Sequence, residues 1–174
     1  MITSANEEKL VSLFFYQPMS QFGVRELSRE AKMDTKTVMK YLKVFVKEGI
    51  VVKIQQKNKY PYYEANRLSK QYKFVKSANM LAQIAMSGLL SFLEETLKPK
   101  AMVLFGSMQK GTYHKKSDID IFIQEKETKI DVSVFEKKLK HEIQLFFEED
   151  LNNLTEGLRN NIISGNTLSG GLRI

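Results

Sequence analysis

The chain has 174 residues, 43% hydrophobic and 27% charged, a composition that excludes a disordered chain and leaves room for one ordinary domain or two small ones. It has no cysteine, which removes disulfides and zinc-thiolate sites, and no secretion-type start; its most apolar stretch, Met80 to Leu93, is interrupted by Gln83, Ser87, Gly88 and Ser91 and falls short of a membrane span, so a cytoplasmic location is expected. Charge is uneven: residues 1–76 hold 15 Lys/Arg against 7 Asp/Glu, net +8, and residues 77–174 hold 12 against 13, net −1.

In chain order, Glu7 to Gln17 places Leu10, Leu13 and Phe14 at helical spacing, and Val24 to Ala31 does the same with Val24, Leu27 and Ala31. Asp34 caps a third predicted helix with Val38, Leu42, Phe45 and Val46 on its inner stripe, and Gly49 ends it. VVKIQQ (Val51 to Gln56), a polar KNK turn (Lys57 to Lys59) and YPYYEAN (Tyr60 to Asn66) predict a hairpin. Arg67 to Leu97 reads as one long helix with apolar residues on more than one side, stopped before Pro99; it has two faces to bury, within the chain or as a dimer seam.

The period then changes to strands: AMVLF (Ala101 to Phe105) and DIDIFI (Asp118 to Ile123). A helix over Phe135 to Glu142 leads into IQLFF (Ile143 to Phe147), and a last helix is predicted over Asn152 to Ile163. This order predicts a mixed α/β sheet domain.

An excess of eight positive charges most often meets nucleic-acid phosphate, the plainer alternative being a solvated basic face. Three helices followed by a hairpin resemble the winged helix-turn-helix domains of bacterial and archaeal transcription regulators over residues 5 to about 66. That resemblance implies double-stranded DNA as partner, with Thr35, Lys36, Thr37, Lys40 and Lys43 of the third helix at base edges and Arg25, Arg29, Lys57 and Lys59 at phosphates.

In an extended strand alternate side chains share a face, so Asp118 and Asp120 project together and repel unless a cation sits between them; Mg²⁺ or Mn²⁺ is the economical answer, against the alternative of two aspartates at a solvated rim. Gly106 and Ser107 follow the preceding strand directly, where backbone N–H groups can face a phosphate. Together, Phe105-Gly106-Ser107, nine intervening residues with Gly111, and Ser117-Asp118-Ile119-Asp120 resemble the signature of DNA polymerase β-like nucleotidyltransferases, especially minimal members paired with toxins. The similarity runs from about Lys98 to Gly170, where GLRNNIISGNTLSG looks like a terminal helix.

The resemblance implies that Gly106 and Ser107 hold the triphosphate of an NTP while Asp118 and Asp120 bind two metals, Mg²⁺ or Mn²⁺, and carry catalysis. Lys110, Lys115 and Lys116 lie in the connecting loop, where they reach phosphates or are simply solvated. The family's third carboxylate sits on a later strand, and the matching position here is Gln144, with Glu142 of the same parity as a substitute and Asp131 and Glu148 further from the pattern. His114 and His141 read as surface residues.

The expected architecture is therefore α+β, with a winged helix-turn-helix at 1–66, a linking helix at 67–97 and a nucleotidyltransferase-like domain at 98–174. Three functions remain open: a DNA-targeted nucleotidyltransferase, a nucleotide-sensing transcription regulator without chemistry, and an antitoxin-like partner of a toxin-type protein. A homodimer fits each, and no membrane is involved.

Overall fold

The computed structural model describes residues 4–173. Contacts divide the chain into two units, with the boundary between Lys76 and Ser77.

The first unit begins with α1 (Ala5–Tyr16), whose cap Ser4 accepts a hydrogen bond from the Glu7 N–H at 3.2 Å. A short strand, β1 (Phe22–Gly23), precedes α2 (Val24–Ala31) and α3 (Thr35–Lys47). Asp34 Oδ1 accepts from the Thr37 N–H at 2.9 Å, and hydrogen bonding from Thr37 holds that carboxyl below its usual range. Past α3 the chain turns at Gly49, φ +71, into β2 (Val51–Ile54), which pairs antiparallel with β3 (Tyr62–Ala65). The sheet order is β1-β3-β2. The hairpin stands where expected; β1, too short to show a period, was not. Val46, assigned to the inner stripe of α3, is 37% exposed, because Val38, Leu42 and Phe45 already fill that face.

Leu10, Val11, Phe14 and Phe15 of α1 close the core of this unit against Leu27, Val38, Leu42, Phe45 and Tyr72. The Tyr72 hydroxyl donates to the Phe14 carbonyl at 2.9 Å. Lys76, one turn on, is buried, and burial pushes its ammonium down to about 8. An unfolded lysine titrates near ~10.4, so between about pH 8 and ~10.4 the unfolded chain binds more protons and stability rises with pH. Burial also pushes the Tyr72 phenol upward, which opposes that rise above pH ~10. The urea midpoint is expected to increase between about pH 8 and 10, and Lys76→Met to flatten the profile; a flat wild-type profile would show that the ammonium is solvated.

Across the unit boundary runs α4 (Lys70–Ser87), followed by α5 (Leu89–Leu97). The single long helix expected over Arg67 to Leu97 is thus two helices, broken at Gly88, whose φ of +87 lies outside the helical region. Leu68 precedes α4 and is 91% exposed rather than part of an apolar face. Among the described residues no helix is long and apolar enough to cross a membrane.

The second unit is built on a four-stranded mixed sheet, order β6-β5-β4-β7. Its strands are β4 (Ala101–Phe105), β5 (Ile119–Ile123), β6 (Ile143–Phe147) and β7 (Asn166–Gly170), joined through α6 (Gly106–Lys110), α7 (Ser133–Leu139) and α8 (Glu156–Ile163). All of β4 and Ile121 to Ile123 of β5 are buried, so both faces of the central strands are covered, as continuous apolar runs require. One face packs Val103, Phe105 and Phe122 against Leu151 and Ile162. β4 and β6 occupy the expected residues. α7 starts earlier than expected and stops at Leu139, where Lys140 turns left-handed at φ +59. The chain end is not helical throughout: after α8, Asn166 to Gly170 form β7 on the edge of β4. Gly165 permits that return, since a methyl group there would meet Val103 Cγ1 and the Leu104 carbonyl.

Candidate functional site

Antiparallel pairing of β4 with β5 sets Phe105 opposite Asp120. One residue past Phe105 the chain turns into α6 at Gly106, with φ +71, a conformation that side-chain-bearing residues rarely adopt. The Asp120 carboxylate lies over this glycine, and a methyl group built on Gly106 would overlap Asp120 Oδ2. Ser107 follows in the first turn of α6, half-buried, and its carbonyl accepts from the Thr112 N–H at 3.0 Å as the chain turns back at Gly111.

Asp118 immediately precedes β5 rather than lying in it. Burial, and to a lesser degree the neighbouring Asp118 charge, push the Asp120 carboxyl above its usual range. β6 runs parallel to β5, with Ile119 beside Ile143 and Asp120 beside Gln144. From that register the Gln144 amide reaches back, and its Nε2 donates to Asp118 Oδ2 at 2.7 Å.

Sequence reading missed a residue that shapes this corner. His141, expected on the surface, is 5% exposed, and its Nδ1 lies 2.7 Å from the Ser117 carbonyl. A carbonyl only accepts, so Nδ1 carries the proton. Burial pushes the ring's pKa down, so it stays neutral more readily and anchors the backbone just before Asp118. The signal lay in the topology: His141 lies two residues before a strand parallel to β5 and so stands level with Ser117, two residues before β5 begins. His114 is exposed, as expected, and its Nδ1 accepts from the Lys116 N–H at 3.2 Å. Lys115 and Lys116 are exposed, whereas Lys110 Nζ donates to Asn161 Oδ1 at 3.1 Å.

The three alternative carboxylates do not join the pair. Asp131 Oδ1 accepts from the Ser133 N–H and Glu148 Oε1 from the Asp150 N–H, and these bonds hold both carboxyls below their usual range. Glu142 meets the site through its backbone, its carbonyl accepting from the Ile119 N–H at 2.8 Å. Among the described residues no group of three or more His, Asp or Glu is placed to hold a metal ion. The donor set is two carboxylates, one of them packed over a glycine, which fits a divalent cation carried with phosphate oxygens that complete its coordination.

In the first unit, Thr35, Lys36, Thr37, Lys40 and Lys43 line one open depression along α3, together with Asp34 and Met39. Lys57 and Lys59 stand exposed in the turn between β2 and β3, where Gln55 Nε2 donates to the Lys59 carbonyl at 2.7 Å. Arg25 lines a second recess with Lys53, Tyr60 and Tyr63, and Arg29 is exposed on α2.

Residues 86–166 match the nucleotidyltransferase domain family. The match starts in α4, ends at the first residue of β7 and takes in Gly106, Ser107, Asp118, Asp120 and Gln144. It supports a C-terminal nucleotidyltransferase domain, and the mixed sheet is consistent with that fold. No curated protein and no solved structure matches the chain.

Proposed function

We propose that the nucleotidyltransferase domain binds a nucleoside triphosphate with Mg²⁺ or Mn²⁺ and transfers a nucleotidyl group to a hydroxyl acceptor, while the N-terminal unit, a winged helix-turn-helix in this reading, attaches the chain to double-stranded DNA. The carrying observation is the Asp120 carboxylate lying directly over Gly106, with the Asp118 charge close enough to help raise the Asp120 carboxyl. In this reading Asp118 and Asp120 hold the cation, whose chemistry is to neutralise phosphate charge. Gly106 and Ser107 turn backbone N–H groups toward the triphosphate, and the missing side chain at Gly106 leaves room for the Asp120 carboxylate to lie beside them. The acceptor hydroxyl releases its proton to solvent and its oxygen bonds to the α-phosphorus as the bond to the bridging oxygen breaks, and pyrophosphate leaves with that electron pair. For the DNA half, support comes from the +8 charge of residues 1–76 and from the basic, hydroxyl-bearing exposed side of α3.

A second reading, nucleotide sensing without transfer, is favoured by one observation: the residue beside Asp120 is an amide that donates to Asp118, and an amide neither carries charge nor takes a proton. Calorimetry with ATP and Mg²⁺ tests the site. Binding is expected only with the cation and is expected to disappear in Asp118→Asn and in Asp120→Asn. Release of pyrophosphate from labelled NTP then separates transfer from sensing. Wild-type protein that binds no NTP at millimolar concentration would overturn both readings.

A further inference from the structure

We infer that Gln144 is a positioning residue whose amide takes the place of a second metal ion, making this a one-cation site. The inference rests on the nucleotide-binding reading above and specifies how that site is loaded.

Two metal ions side by side need a bridging carboxylate and enough anionic oxygen to offset four positive charges. Here Asp118 Oδ2 is taken by the Gln144 Nε2 donor at 2.7 Å. An NH₂ group has no lone pair to offer a cation, and its hydrogens lie where a cation on that edge of the carboxylate would sit. Asp118 therefore faces the nucleotide with one free oxygen, alongside Asp120. No further carboxylate compensates: among the described residues no group of three or more His, Asp or Glu forms, and Asp131 and Glu148 are spent on turns. Parallel pairing fixes the arrangement, because Gln144 stands beside Asp120 in the ladder and cannot leave Asp118 without swinging its side chain away. The partial positive charge of the amide holds Asp118 in place and offsets its charge.

Counting bound metal tests this. Full-length protein is mixed with α,β-methylene ATP and excess Mn²⁺ and concentrated on a membrane that passes free nucleotide, and retained Mn²⁺ per retained chain is measured. One Mn²⁺ is expected for wild type and two for Gln144→Glu, which keeps the shape of the side chain but exchanges the donor for an anionic oxygen. Asp120→Asn should retain none. Electron paramagnetic resonance gives a second readout on wild type alone. An uncoupled Mn²⁺ spectrum is expected, whereas ions about 3.5–4 Å apart would show exchange coupling. Two retained ions or a coupled spectrum in wild type overturns the one-cation site. One retained ion in both wild type and a folded Gln144→Glu removes Gln144 as the cause. No retained ion in any protein overturns the nucleotide-binding reading itself, and this inference with it.

Discussion

Replacing Gly106 with alanine is expected to abolish cation-dependent NTP binding and to lower the melting temperature of the C-terminal unit by roughly 4–16 °C. Two effects act at one atom. The backbone at Gly106 has φ +71, where a side-chain-bearing residue costs about 1–2 kcal/mol. The new methyl group would also overlap Asp120 Oδ2, so the carboxylate must move off its position over the glycine. Gly157→Ala is the matched control, since a methyl group there meets nothing within 4 Å and the residue lies inside α8. Alanine is the better helix former, so this control should leave binding unchanged and raise stability by up to ~1 kcal/mol. Calorimetry and thermal unfolding of the two variants decide the matter: a Gly106→Ala protein with wild-type affinity would mean that the contact between Asp120 and Gly106 plays no part in binding.

The second large effect is expected on DNA. Lys36 and Lys40 are exposed on α3 and line the same depression. If each neutralises one phosphate of duplex DNA, changing both to alanine should flatten the plot of log K against log salt by about 1.8. At ~0.1 M salt the same counterion release corresponds to a loss of roughly 10- to 100-fold in affinity on any sequence, and the base-edge contacts that the resemblance gives these lysines would add a loss that differs between sequences. Lys126→Ala with Lys129→Ala removes the same charge from exposed positions in the other unit and should change little. Equal mobility shifts for the Lys36 and Lys40 double variant and wild type would remove the basis for placing DNA on α3.

Much of this molecule could be read from the sequence, for identifiable reasons. β4 was legible because a five-residue apolar run between polar stretches admits few alternatives, β6 because it is apolar apart from Gln144, and α3 because Asp34 and Gly49 bracket it. Gln144 was singled out by the family pattern that the chain resembles, whereas its place beside Asp120 depends on the register between β5 and β6. β7 was missed because NTLSG is polar and borders a single neighbour, so it carries no alternating pattern. The break at Gly88 was missed because an isolated glycine inside an apolar helical pattern is often tolerated. Burial of His141 and the hydrogen bond from Gln144 to Asp118 depend on which side chains meet across the β5–β6 pair, which no single segment encodes.

The parallel pairing of β5 with β6 also fixes the order in time in which the site is assembled. Gly106 and Asp120 meet across neighbouring antiparallel strands, whereas Gln144 reaches Asp118 only after a crossover through α7 has closed, a contact spanning 26 residues. Longer closures cost more entropy before they are rewarded, and parallel pairs form slowly. The two aspartates and their glycine are thus expected to come together early in folding and the amide to arrive last. During that interval the nascent site presents an unrestrained carboxylate pair, and a divalent cation with nucleotide would act on the chain as a folding ligand before it acts as a bound one.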